Sequence, residues 1–244
     1  MPAVDNWEAN PDAKADFKEI NILGREFSVI INPHYSIQAA DMFRKQVKPR
    51  ITNPDEWGFF VEEMYGNAPE TTAITDFVLK SKEPLALFDP IIPPTLGAFS
   101  KIYPKFGFET DTEKGLVLGV FADAQRRETG VTDLQQLAKD MAADPEEIKL
   151  ALEMIEERRR DPRFKQIEDN IWEKALVVSN IISAQVIKYY LDKYLSIKKG
   201  ILLIAPGHKQ VLDLLKSGIN IQHRLSKEVI EELVKQKRLS RIGI

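Results

Sequence analysis

The sequence predicts an α/β fold, with a central, mostly parallel β-sheet, helices on both faces and an inserted helical region. Segments typical of strands and of helices alternate over roughly the first 90 residues. The later segment GILLIAP is apolar enough for a strand buried on both faces, as central parallel strands are. Residues 91–165 break the alternation with a passage rich in proline and aromatic residues, followed by helical segments. We therefore predict one α/β domain over 1–244, with a helical, lid-like insertion at 91–165.

The first elements follow from local patterns. The segment FKEINILGREFSVIIN predicts two short strands around Leu23-Gly24-Arg25-Glu26, and Ser36 is a suitable N-cap for the helix that follows. The segment WGFFVEEMYG predicts the next strand, with a helix built on 72–79 after it. The segment PLALFDP predicts a further strand that ends at Asp89.

Helix signals are strongest in the second half of the chain. Asp144 is a predicted N-cap, followed by a proline in the first turn and a glutamate in the capping-box position. A long helix is predicted from Pro162 onward, and we expect it to be the central helix of the fold. Its buried stripe is predicted at Ile167, Ile171, Ala175, Val178, Ile182, Val186 and Tyr189. A terminal helix is predicted to be capped by Ser226.

Composition excludes several classes of protein. The 34 lysines and arginines are nearly balanced by 37 aspartates and glutamates, which argues against a nucleic-acid-binding surface. The absence of cysteine excludes disulfides, thiolate zinc sites and thiol nucleophiles. No signal peptide is recognisable, and no segment approaches the roughly 20 apolar residues of a membrane-spanning helix. We expect a soluble, cytoplasmic protein that binds neither nucleic acid nor membrane.

Titratable side chains follow the predicted strands, at the points where the strands end. They are His34, the pair Glu62 and Glu63, Asp89, and His208. Because the carboxyl ends of parallel strands meet at one edge, we expect these side chains to share a crevice there. Two imidazoles and two carboxylates can bind a divalent metal or carry out general acid–base chemistry without one.

Simpler interpretations stay open for these residues. Either histidine can serve only to bond a loop carbonyl, and Asp89 can serve only as a turn former before proline. The sequence does not say which of Glu62 and Glu63 faces the site. Arg160, the last of three consecutive arginines, is a candidate for orienting a carboxylate or binding an anionic substrate, whereas its two neighbours suit a solvated helix end.

The order of these motifs resembles the TraB/TIKI family of the erythromycin esterase/ChaN-like superfamily. The segments VIINPHYS and LLIAPGHKQVLDLL are similar to the two Gly-x-x-His motifs of that family, and FFVEEMYG is similar to its glutamate strand. ALFDPIIPPTL and RRDPRFKQIEDNI are similar to two further family segments, so the resemblance covers about residues 26–218. Ile31 and Ala205 replace the motif glycines, and Pro90 replaces an arginine.

The resemblance implies a hydrolase-like cleft for peptide or ester bonds, with a small-molecule or peptide substrate. It implies His34, Glu62 and His208 at the centre, as ligands of manganese, cobalt or zinc, or with a histidine or Glu62 as general base. Asp89 and Arg160 would support them. No nucleotide or flavin cofactor is indicated, and a homodimer is compatible with the exposed helices. Replacement of both glycines favours the alternative, a non-catalytic module that binds a ligand or peptide.

Overall fold

The chain divides into two compact units. The computed structural model describes residues 14–33, 36–62, 68–80, 86–92, 99, 102, 111–141 and 143–239. Described residues between Pro93 and Ser179 form one unit, here called the helical unit. Those up to Ile92 and those from Asn180 onward form the other, here called the sheet unit. Most of the predicted insertion at 91–165 falls in the helical unit, and its status as an insertion within one domain stays a prediction.

In the part of the chain that the structure describes, the sheet unit contains five strands, most of them parallel. They are β1 (Asp16–Ile22), β2 (Arg25–Ile31), β3 (Trp57–Val61), β4 (Ala86–Phe88) and β5 (Lys199–Ile204). Their order is β1-β2-β5-β3-β4, in which the β1–β2 pair is antiparallel and the β2–β5, β3–β5 and β3–β4 pairs are parallel. The predicted α/β fold is confirmed, and every strand coincides with a segment in which the sequence predicts one.

The helices are distributed over both units. They are α1 (Ile37–Met42), α2 (Pro69–Leu79), α3 (Asp111–Thr129), α4 (Leu134–Met141), α5 (Pro145–Arg158), α6 (Phe164–Lys193), α7 (Gln210–Ser217) and α8 (Lys227–Leu239). The predicted N-caps are confirmed, because Ser36 accepts from the backbone of Ala39, and Asp144 accepts from Glu146 and Glu147. Ser226 likewise accepts from Val229 at the start of α8.

One face of the sheet packs against α1 and α2. Alternate side chains of the strands point to this face, because side chains of a strand alternate between the two sides. Its buried core contains Ile30, Phe59 and Ile201 from the strands, with Ala39 and Ile74 from the two helices.

The opposite face carries an aromatic layer beneath the second half of α6. The rings of Phe88 and Tyr190 stack at 4.0 Å between centroids, and Phe60 lies 5.0 Å from Phe88. Helix α6 is buried on all sides from Val178 to Ile187, as predicted for a central helix. Glycine at position 200 is required here, because a Cβ would lie 2.3 Å from the ring of Phe27.

The helical unit has a separate core formed by α3, α4 and α5. It contains Leu118, Leu137 and Ile148, all almost completely buried. Gly119 allows α3 to approach α5 closely, since a Cβ there would lie 2.5 Å from the carbonyl oxygen of Ala151.

Candidate functional site

The central strand ends between two polar residues. At the carboxyl end of β5, the backbone N–H of Asn32 donates to Ile204 at 3.1 Å, and that of Glu62 donates to Leu203 at 3.0 Å. These bonds extend the ladders of β2 and β3 by one residue beyond the strands. Asn32 and Glu62 therefore lie on either side of the turn that follows β5, at the edge where ligands collect in open α/β sheets.

Glu62 is buried and points to the α6 side of the sheet. Its residue is 4% exposed, and it shares the strand face of Phe60 because the two are separated by two positions. Its Oε2 accepts a hydrogen bond of 2.6 Å from the backbone N–H of Ala205. Of the Glu62–Glu63 pair, Glu62 is thus an inward-facing residue, whereas Glu63 lies outside the described residues.

His208 lies in the short 3-10 turn Pro206–His208 that leads from β5 into α7. The turn is closed by a bond from its backbone N–H to the carbonyl of Ala205, and the residue is 7% exposed. Its Nε2 lies 3.3 Å from Oε1 of Glu62, and its Nδ1 lies 2.6 Å from Oδ1 of Asn180 on α6. The ring is therefore held between a carboxylate and an amide.

The neighbours of Asn180 fix which ring nitrogen carries a hydrogen. The Nδ2 of Asn180 donates to the carbonyl of Gly207 at 3.2 Å and lies 3.3 Å from Oε1 of Gln210. The amide oxygen must then accept from the ring, so Nδ1 of His208 carries a proton. In a neutral ring the Nε2 lone pair consequently faces the Glu62 carboxylate.

A lone pair and a carboxylate oxygen attract each other only when a proton or a cation lies between them. At 3.3 Å, the pair can share a proton, and it is also close enough for one divalent ion to bind both atoms at about 2.1 Å. Asn180 would then orient the ligating imidazole through its hydrogen bond to Nδ1. The donor set thus fits either proton transfer or cation binding.

A second buried polar pair lies at the same edge of the sheet. The Nδ2 of Asn32 donates to Oε1 of Glu70, in the first turn of α2, at 2.9 Å. Both residues are 2% exposed, and Oδ1 of Asn32 has no hydrogen-bond partner among the described residues. A buried acceptor of this kind is available to a donor on a ligand or to a water molecule.

The structure brings together two of the five predicted site residues, Glu62 and His208. His34 lies outside the described residues, so the predicted His34–His208 pair stays a prediction. Asp89 is half-buried, and its Oδ1 accepts from the backbone N–H of Ile91 at 3.1 Å, as a turn-forming aspartate does. Its supporting role stays a prediction.

Arg160 is exposed and lies in the helical unit, where its backbone N–H donates to Glu157. Its predicted contact with the site stays a prediction. The neighbouring Asp161 is engaged by Arg163, whose side-chain hydrogen bonds lower the pKa of Asp161 below its ordinary value. Of the arginine run, Arg159 binds a buried carboxylate, that of Asp123 on α3.

The described residues contain no group of three or more histidine, aspartate or glutamate side chains placed to hold a metal ion. The predicted ligand set of His34, Glu62 and His208 includes one residue outside that part of the chain, so metal binding stays a prediction.

Three polar residues at this edge of the sheet were not predicted as site residues: Asn32, Glu70 and Asn180. Asn180 leaves a signal, since it is one of four buried polar residues, with Ser179, Ser183 and Gln185, in the otherwise apolar run VVSNIISAQVI of helix α6. Polar groups buried on all sides are retained where they find partners, which makes such an interruption a candidate for a site. Asn32 and Glu70 leave a weaker signal, because polar residues are ordinary at the end of a strand and in the first turn of a helix.

Among the described helices, none combines the length and the apolar character needed to cross a lipid bilayer. Comparisons of the chain with protein-family models, curated proteins and solved structures give no match.

Proposed function

We propose that the chain is a hydrolase of peptide or ester bonds, with Glu62 and His208 at the centre of a site at the carboxyl ends of the parallel strands. The observation that supports this most is the Glu62–His208–Asn180 array. It holds a carboxylate and an imidazole nitrogen 3.3 Å apart, with the other ring nitrogen committed to an amide oxygen.

In this proposal, the Glu62–His208 pair takes a proton from water as the water attacks the scissile carbonyl. The proton then passes to the leaving group. Asn180 keeps Nδ1 protonated, so that Nε2 is the nitrogen that exchanges protons. The N–H of Ala205 fixes Oε2 of Glu62 and leaves Oε1 directed to the ring.

A divalent cation fits the same pair, with His34 as the further ligand that the family resemblance implies. A bound cation of manganese, cobalt or zinc would supply Lewis-acid polarisation and a more acidic water. Glu62 and His208 would hold it, and Asn180 would orient the imidazole.

The alternative is a non-catalytic module that binds a ligand or peptide at the same edge. It is favoured by burial, because Glu62 and His208 are only 4% and 7% exposed. Buried Asn32 adds an acceptor atom suited to a ligand donor.

The test combines turnover with metal analysis of the full chain. Wild type and His208→Gln are assayed on p-nitrophenyl esters and on a peptide library, and their metal content is measured before and after chelation. His223→Gln is the matched control, because His223 belongs to the sheet unit and lies in the separate turn Ile221–His223, where the hydrogen bonds described for it join its backbone to Asn220 and Gln185.

We expect turnover in wild type and in His223→Gln, and a loss of about 10²-fold or more in His208→Gln. Metal retained by wild type and lost with His208→Gln would identify the cation-dependent form, and turnover that survives chelation would identify the unaided form. Ligand uptake without turnover would support the binding module. Equal turnover in all three proteins would exclude His208 from the chemistry.

A further inference from the structure

The sheet unit contains a second concave region, a cavity of about 660 Å³, whose lining includes none of Glu62, His208 and Asn180. The last turns of α6, from Gln185 to Lys193, form one wall, and the end of α7 with the segment 218–225 forms another. The start of α8 and the β1–β2 turn complete it. Its size lies in the range of pockets that hold small molecules.

Two partly buried sets of hydrogen bonds hold the walls of this cavity. The Nε2 of Gln185 donates to the carbonyl of His223 at 3.2 Å, and its Oε1 accepts from the N–H of Leu225 at 2.8 Å. The guanidinium of Arg25 donates to the carbonyls of Leu191 and Ile197, both at 2.8 Å. The segment after α7 and the β1–β2 turn are thus both tied to the end of α6, which makes the cavity preformed.

Leu23 is an unusual residue for its position in the β1–β2 turn. It has a φ of 51° and is followed by Gly24 at 80°, the pattern of a two-residue type I′ turn. Asparagine or glycine suits the first position of such a turn, whereas leucine is strained there. The leucine is 43% exposed, so core packing does not account for it. It lines the cavity, and a function for its side chain there accounts for the strained residue.

The rim of the cavity is net positive. Four cations line it, Lys188, Lys193, Arg224 and Lys227, against the two carboxylates of Asp192 and Glu231. Lys188 pairs with Asp192 at 2.9 Å, and Lys227 lies 3.9 Å from Glu231.

Lys193 differs from these lysines, because no carboxylate lies within ion-pair distance of it in the described part of the chain. Its ammonium instead contacts the hydroxyl of Tyr189 at 3.4 Å and lies 5.5 Å from the centre of that ring. The exposed ammonium of Lys193 is therefore available to pair with an anionic group of a ligand in the cavity.

We propose that this cavity binds a small amphipathic monocarboxylate. The carboxylate pairs with Lys193, and the apolar chain lies along Leu23, Leu215 and Ile230. Charge complementarity selects the anion, and the apolar lining selects the chain. This site is independent of the hydrolase proposed above.

The test uses decanoate as the probe, with decyltrimethylammonium as a probe of the same chain length and opposite charge. Binding to the full chain is measured by calorimetry, and the residues affected are located by NMR shift changes. The variants are Leu23→Asn and Lys193→Gln. The matched control is Lys198→Gln, which removes an exposed lysine that pairs with Glu56 and does not line the cavity.

We expect decanoate to bind at least about tenfold more tightly than the cationic probe, and Lys193→Gln to weaken decanoate binding by about tenfold. Leu23→Asn should weaken the binding of both probes, yet leave the unfolding midpoint unchanged or higher, because Asn-Gly favours the turn. Lys198→Gln and Glu62→Gln should bind decanoate as wild type does.

Equal binding of the two probes, or no decanoate binding at millimolar concentration, would overturn the proposal. Unchanged decanoate affinity in both Leu23→Asn and Lys193→Gln would also overturn it. None of these outcomes bears on turnover at Glu62 and His208, so the two proposals fail separately.

Discussion

Each unit of the molecule buries a carboxylate, but the two carboxylates have different partners. Asp123 in the helical unit and Glu62 in the sheet unit are both 4% exposed. Asp123 is bound by the guanidinium groups of Arg127, at 2.6 Å, and Arg159. Glu62 instead accepts from a backbone N–H and faces the imidazole of His208.

The difference lies in what the partner can do. Arginine is always protonated in proteins, so the charge of Asp123 is compensated permanently and the contact joins α3 to the end of α5. The imidazole of His208 can accept as well as donate, because only its Nδ1 is committed to Asn180, so its other nitrogen can exchange a proton where a guanidinium cannot. Burial of a carboxylate is therefore weak evidence of chemistry, and the nature of its partner is stronger evidence.

The substitution Glu62→Gln is expected to have the largest effect, which is a loss of turnover. A glutamine can still accept from the N–H of Ala205 and can donate to Nε2 of His208, so we expect the free energy of unfolding to change by less than about 1 kcal/mol. It can neither take a proton nor bind a cation, so turnover should fall by about 10²-fold or more. Ester or peptide hydrolysis and urea denaturation of the same preparation measure both quantities. Retained turnover with a large loss of stability would assign Glu62 to the fold alone.

The next effect is on stability, in Asp123→Asn. This change leaves two arginines without their shared carboxylate, but both side chains reach solvent, since they are 60% and 44% exposed. We expect the free energy of unfolding to fall by about 2 kcal/mol, less than for a fully buried pair, with turnover unchanged. Urea denaturation at neutral pH measures the change in the free energy of unfolding. Loss of turnover with unchanged stability in this variant would instead assign Asp123 to the chemistry and contradict the contrast with Glu62.

The smallest effect is expected at a third carboxylate, the partly exposed Asp161. The side-chain hydrogen bonds from Arg163 lower the pKa of Asp161 below its ordinary value, so its contribution to stability is present above that ordinary value. The contribution is lost as the pH falls through the lowered pKa. Because solvent screens this pair, Asp161→Asn should lower the unfolding midpoint much less than Asp123→Asn does at neutral pH. In acid, the unfolding midpoints of Asp161→Asn and wild type should become equal. Thermal unfolding across a pH series measures both midpoints. A loss as large as that of Asp123→Asn would show that exposure does not decide the strength of these pairs.

Local signals were sufficient for much of the fold. Asp144, Ser36 and Ser226 cap helices as predicted, because a cap depends only on the few residues that follow it. The parallel sheet was predictable from the alternation of elements and from the apolar run that became β5. The proximity of Glu62 and His208 could be expected only because both follow parallel strands of one sheet, and their role in a site stays a prediction.

The sequence by itself determined the class of fold, the caps and the positions of most strands, since these depend on neighbours within one or two turns of the chain. Only the tertiary structure decided that β5 lies between β2 and β3, which brings the turn after β5 against Glu62. It also decided that Glu62 points inward, that Asn180 meets the ring of His208 and that Arg159 meets Asp123. Such contacts join residues 28 to 146 positions apart. Packing between distant elements selects the two partners, and a pattern of neighbouring residues carries no information about that packing.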